Sequence, residues 1–271
     1  MQRKEITDKG GSYHAYNWLQ YGFLQKGETE AATDLLKGMV TYYGDEPDKK
    51  EKSYLLAMKG AHMVETNTWE GDLAEIEVDV RGLPIIKRAG NSFLEGMKAY
   101  HNKDSNTLNG IIDEMEEDRR VTKNLVSDQG FAMCSAAGFA NKPPTQLDVD
   151  MAYVMEMELA ALAETLNGNT EKATELFEKA TQLDETLNYS YGPPLILKPI
   201  HEAYGEWLLE QNQPDKALAI FEKALDRYPR RLLSLQGKKA AATILKNKDI
   251  LAKVEKSVSS THLTLPTIYS V

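Results

Sequence analysis

The chain has 271 residues, 42% of them hydrophobic and 27% charged, with a formal net charge of −9. That balance is globular rather than disordered, and the acid excess speaks against a nucleic-acid or anionic-membrane surface, which needs clustered Lys and Arg. The one cysteine, Cys134, can form no internal disulfide, no apolar run approaches the roughly 18–20 residues of a membrane span, and the start MQRKEITDKGG lacks the apolar stretch of a signal peptide.

From the N-terminus, residues 13–43 read as a helix pair. The first helix carries Tyr16, Leu19, Phe23 and Leu24 at helical spacing and stops at Gly27. The charged turn 45–52, with Pro47 inside it, reads as a linker. A second pair is expected over 53–82. Its second half, GDLAEIEVDVRG, alternates Ile76, Val78 and Val80, a strand pattern as much as a helical one. It is assigned to helix because Ala74 falls in the repeat frame given below and strands would leave two orphan edges.

A third pair is expected over 83–120, with Asp104 or Ser105 capping its second helix and the acidic run Asp113–Asp118 on a solvated face. Residues 121–150, with Gly130, Gly138, Pro143 and Pro144 around Cys134, show no frame and read as an irregular crossover holding one decayed helix. The fourth pair opens with a long helix over 147–166, apolar around much of its circumference as suits a helix between neighbours. In the insert that follows, Pro193 and Pro194 force extended backbone and present Tyr189 and Tyr191 on a rigid loop. A fifth pair lies within 198–231, then a capping helix over 232–245 and a short last one over 249–258. Lys238, Lys239, Lys246 and Lys248 give that end the polar character of a stack terminus. Residues 259–271 hold no charged side chain and no period, and read as an unstructured, non-native tail or, as the alternative, a peptide ligand for another protein. The division is therefore 1–120, 121–150, 151–258 and the tail.

The fifth pair is the clearest. Pro199 favours a first helical position, Asn212 and Pro214 break the helix, and Pro229 stops the second one. Ala217, Phe221 and Ala224 share a face, and Gly205 and Ala217 are small where the two helices cross, so that Phe221 can fill the gap. Carried backwards, the same offsets place Ala173, Leu108, Ala74 and Ala32 at the position of Ala217. They place Phe177, Ile112, Val78 and Leu36 at Phe221, and Ala180, Met115, Arg81 and Met39 at Ala224. Gly205, Ala217, Phe221, Ala224 and Pro229 match signature positions of a repeat of about 34 residues, while His201, Tyr204 and Leu208 depart where Trp, Leu and Tyr are usual. On these residues the chain resembles a bacterial tetratricopeptide-repeat protein. The Gly-Pro-Pro loop at 192–194, the Lys-Pro-x-His-Glu start at 198–202 and the Pro-x-Arg step at 229–231 resemble a recurring block of such proteins. The resemblance implies an all-α, right-handed α-solenoid of about five antiparallel helix pairs plus a capping helix, binding protein partners. It also implies that further repeats precede this stretch in a longer chain. A cytoplasmic location is the default expectation, and a periplasmic one follows if a signal belongs to that longer chain.

Catalytic motifs are not found. There is no phosphate loop and no dinucleotide fingerprint, and Gly205 stands where a zinc-protease helix beginning His201-Glu202 needs its second His. His14, His62, His101, His201 and His262 stand singly. The chain is expected to be no enzyme and to hold no metal and no cofactor. What remains is a surface, since the first helix of each stacked pair lines a concave groove. Groove positions fall at His14, Asn17, Trp18 and Tyr21 in the first pair, and at Lys59 and Met63 in the second. They fall at Phe93, Met97 and Tyr100 in the third, Glu158 and Leu162 in the fourth, and Glu202, Glu206 and Glu210 in the fifth. The groove is thus aromatic and Met-lined early and acidic late, which suits a protein segment with apolar anchors and a basic end. The competing reading packs Trp18, Phe93 and Met97 against neighbouring helices. A helical accessory part of a larger enzyme or envelope assembly is the second functional expectation.

Overall fold

In the computed structural model the described residues are 13–44, 46–126, 143–188 and 192–259, and all regular structure among them is helical. The helices are α1 (Tyr13–Gln25), α2 (Thr29–Tyr42), α3 (Lys49–Thr66), α4 (Ile85–His101), α5 (Ser105–Lys123) and α6 (Gln146–Leu166). They continue as α7 (Thr170–Thr186), α8 (Ile200–Glu210), α9 (Pro214–Arg227), α10 (Leu232–Ile244) and α11 (Lys248–Ser259). The crossover's decayed helix, Cys134, Tyr189, Tyr191 and the tail after Ser259 lie outside the described residues.

Among the described residues one turn is used six times. After α1, α4, α6, α8 and α10 a single residue enters the left-handed region: Gly27, Lys103, Gly168, Asn212 and Lys246, with φ between 54° and 76°. The N–H just past it returns to the carbonyl five residues back at 2.8–2.9 Å, as in Glu28 to Phe23 and Gln213 to Leu208. This satisfies the last carbonyls of the helix and reverses the chain within three residues, so the next helix runs back along the first. The turn after α3 is the same, with Asn67 at φ 50° and Thr68 N–H on the Met63 carbonyl at 3.1 Å.

No helix follows that sixth turn. The expected second helix at 73–81 is replaced by a turn at 71–75 and irregular chain over 76–80. Gly71 and Gly82 bracket the segment with φ of 89° and 71°, and the alternating β-branched Ile76, Val78 and Val80 disfavour a helix between them. The frame nevertheless marks the buried side: Ala74 and Val78 are buried and Arg81 is exposed. Lysines from two helices tether the segment. Lys59 Nζ donates to the Ile76 carbonyl at 2.9 Å, Lys52 pairs with Asp79 at 3.0 Å and Lys98 with Glu75 at 2.9 Å.

Neighbouring helices pack in two rows. α1, α3, α4, α6, α8 and α10 each touch the next of the set, while α2, α5, α7, α9 and α11 lie outside them. The outer helices α2, α5, α7 and α9 bury a narrow stripe, and the stripe follows the sequence frame: Ala32, Leu36 and Met39; Leu108 and Met115; Ala173, Phe177 and Ala180; Ala217, Phe221 and Ala224. Glycines let the backbones close up. A Cβ on Gly205 would lie 2.8 Å from the Phe221 ring, and one on Gly237 would overlap it. A Cβ on Gly96 would lie 2.5 Å from Leu159, which is how α4 and α6 approach. No helix of the described residues is long and apolar enough to cross a membrane.

Candidate functional site

The inner helices α3, α6 and α8 are buried on most of their circumference, which an open groove would not give. Two features cover them. The first is the segment between α7 and α8. Its Ile196 is fully buried, and Leu197 presses on bare backbone, 2.8 Å from where a Cβ of Gly60 would stand and 3.5 Å from that of Gly90. Gly192 begins the segment at φ 133°, with the Trp18 indole 2.7 Å from its Cβ position, so only glycine fits there. At the other end Lys198 is buried, with Nζ 2.8 Å from a Glu206 oxygen and 3.6 Å from Glu202. The segment therefore runs across α1, α3 and α4 to α8.

The second feature is Arg231, which precedes α10 and is 2% exposed. Its guanidinium forks onto Glu202, Nε to Oε2 at 2.7 Å and Nη2 to Oε1 at 2.9 Å, and its Nη1 reaches Glu65 at 2.5 Å and the Tyr21 hydroxyl at 3.1 Å. Ser234 donates to Glu202 at 2.6 Å, and Gln25 accepts from the Leu232 N–H at 2.8 Å. Residues of α1, α3 and α8 are thus gathered on one cation. Burial pushes Arg231 down, but Glu202 and Glu65 outweigh it and hold its pKa well above the ordinary value. Burial pushes Glu202 up, and Arg231 and Lys198 overcome it, leaving this carboxylate below its usual range. Glu65 goes the other way, raised by burial against the pull of Arg231.

Glu158 on α6 completes the cluster. It is fully buried, and neither of its carboxyl oxygens has a hydrogen-bond partner. Burial lifts its pKa well above the ordinary carboxyl value, Lys198 works against that, and Glu206, Glu202 and Asp184 add to it. Four carboxyl groups, Glu65, Glu158, Glu202 and Glu206, here face two cations, Lys198 and Arg231.

The residues expected to line an open groove divide accordingly. Met63, Phe93, Met97 and Leu162 are buried in the main core, so the packing alternative describes Phe93 and Met97. Trp18 lies over the Gly192 backbone yet stays 43% exposed. Asn17 and Lys59 are buried, and Lys59 serves the Ile76 carbonyl. Tyr21 is half-buried and engaged by Arg231. Glu158 and Glu202 are buried, so the acidic end is compensated inside the protein and not open to a ligand as expected; Glu206 is half-buried against Lys198. Tyr100 is half-buried and Glu210 and His14 are exposed. Arg231 and Lys198 were not among the expected site residues, although the Pro-x-Arg and Lys-Pro steps that carry them stood out in the sequence.

Compared with known proteins, the chain matches no family model, no curated protein and no solved structure.

Proposed function

We propose that the chain is a non-catalytic protein-interaction scaffold, a right-handed α-solenoid of tetratricopeptide type whose inner face binds a segment of a partner protein. The observation that carries this reading is the repeated unit itself. Six turns share one left-handed residue and one hydrogen bond, and three outer helices, α2, α7 and α9, bury an alanine and a bulky residue at the same frame positions. Stacked helix pairs of this kind build a long inner face from many helices, and such faces serve recognition rather than reaction. Trp18, Tyr100 and Glu210 supply aromatic and acidic groups on that face that remain partly open to solvent. They suit a partner with apolar anchors and a basic end.

The test is affinity capture from source-cell lysate with the full chain as bait, beside a Trp18→Ala/Glu210→Lys variant of matched melting behaviour. A partner held by the native chain and lost by the variant supports the reading. The same partner held equally by both moves binding off the inner face and overturns it.

A further inference from the structure

The segment 192–198, Gly-Pro-Pro-Leu-Ile-Leu-Lys, lies in the protein as a bound peptide would. Its two prolines keep it out of helix, and the backbone bends repeatedly from Leu195 to Lys198. Two of its three aliphatic residues enter the inner row, Ile196 without residual exposure and Leu197 against the two glycines Gly60 and Gly90, on different helices, while Leu195 stays exposed. Its lysine then ends on the acidic wall at Glu206 and Glu202. Apolar anchors followed by a basic end is the chemistry already argued for a partner of this face.

The fit is incomplete on one side. Lys198 is one point charge, and it leaves both oxygens of the buried Glu158 without a partner. A ligand with the same aliphatic run and a forked guanidinium at its end would offer that wall more donors than Lys198 does.

We infer that residues 192–198 are an internal ligand that occupies the inner face, and that the face takes a partner segment of the same chemistry: a non-helical, proline-containing stretch with two aliphatic anchors, then Lys or Arg. The inference rests on the reading of the inner face as a binding surface. A competing segment binds only the fraction of molecules whose inner face is open, so its apparent affinity falls by that fraction.

The probe is a fluorescein-labelled, C-terminally amidated peptide, Gly-Pro-Pro-Leu-Ile-Leu-Lys, read by anisotropy against the full chain. Two variants open the face by different routes. Leu197→Ala/Lys198→Ala weakens the strap at its anchors. Gly192→Ala places a Cβ on the Trp18 indole and leaves the residues beneath Leu197 and Lys198 native. Both are first checked for native helical content and a single melt. The peptide is expected to bind the variants about tenfold or more tighter than the native chain. An Arg-ended peptide is expected to bind tighter still, and a Glu-ended one to lose binding. Absence of binding to folded variants, or equal binding of Lys- and Glu-ended peptides, overturns the inference. If Gly192→Ala alone folds, its result decides. Lysate capture that still depends on Trp18 and Glu210 while the peptide fails would leave the scaffold standing and remove only the internal ligand.

Discussion

Arg231 grips Glu202 with two parallel hydrogen bonds, 2.7 and 2.9 Å long, at a place where neither side chain reaches water. The fork satisfies both carboxylate oxygens, and the remaining guanidinium nitrogen is spent on Glu65 and Tyr21. Removing one member of such a set leaves a buried charge without compensation, which costs more than the set contributes when whole.

Arg231→Met is therefore expected to lower stability by about 3–5 kcal/mol, read as a fall in the urea midpoint. Adding Glu202→Gln and Glu65→Gln to that variant should recover much of the loss, because neither carboxylate that faced Arg231 is then left charged and uncompensated. A triple variant no more stable than the single one would show that the ion cluster is not what Arg231 serves.

Glu158 gives a pH signature. Its pKa is raised in the folded chain, so the folded state holds this proton more tightly than the unfolded state does. Its contribution is full below the ordinary carboxyl value of 4.5 and is lost as pH rises through the raised folded value. Glu158→Gln removes the dependence, so the variant should gain on the native chain as pH rises above the ordinary carboxyl value. Melting temperatures of the two across that range check it, and a gap that narrows with rising pH would contradict it.

Phe221 fills the space between two glycines, and this makes its neighbours' substitutions interdependent. Phe221→Ala should cost about 3–5 kcal/mol through the cavity it opens. Gly237→Ala should also destabilise, since its Cβ overlaps the ring. In the Phe221→Ala background the added methyl enters empty space, so the double variant should be clearly more stable than the sum of the singles predicts. Additive losses in denaturant titrations would refute that geometry.

Lys59 holds the irregular segment that stands in place of a helix after α3. Lys59→Met leaves the Ile76 carbonyl without its donor, a loss of about 1–3 kcal/mol concentrated in that segment. Hydrogen exchange should quicken over residues 73–80 and stay unchanged in α8 and α9. Uniform quickening would point to a general loss of stability instead.

What the sequence made legible was local. Ala217, Phe221 and Ala224, and their counterparts in α2 and α7, announce a buried stripe because a helix must repeat every 3.6 residues to bury one side. The turns at Gly27 and Asn212 are visible because left-handed backbone selects few residue types. Two local signals were passed over: Asp48 with Glu51 and Thr145 with Asp148 form capping boxes that start α3 and α6, so α3 begins inside the stretch read as a linker. The segment at 73–81 reads as helix in the sequence because Ala74 falls in the frame and strands would leave orphan edges. Bracketing glycines and a borrowed lysine decided otherwise, and the lysine lies 17 residues upstream of its acceptor. The filled inner face was illegible for the same reason. Arg231 and Tyr21 are 210 residues apart, and a pair joined once over that distance leaves no period in the sequence. Glu202 and Glu158 thus read as groove acids, when the fold places them among cations and burial that only the closed molecule supplies.

The bond between Arg231 and the first helices also changes how the chain should come apart. An array held by neighbour contacts alone can fray from either end and lose its units one at a time. Here the start of α10 is fastened to α1 and α3, so the early helices cannot peel away without surrendering the late ones. Opening α1 or α3 at this contact therefore also strips the start of α10 of its partners, and the reverse holds.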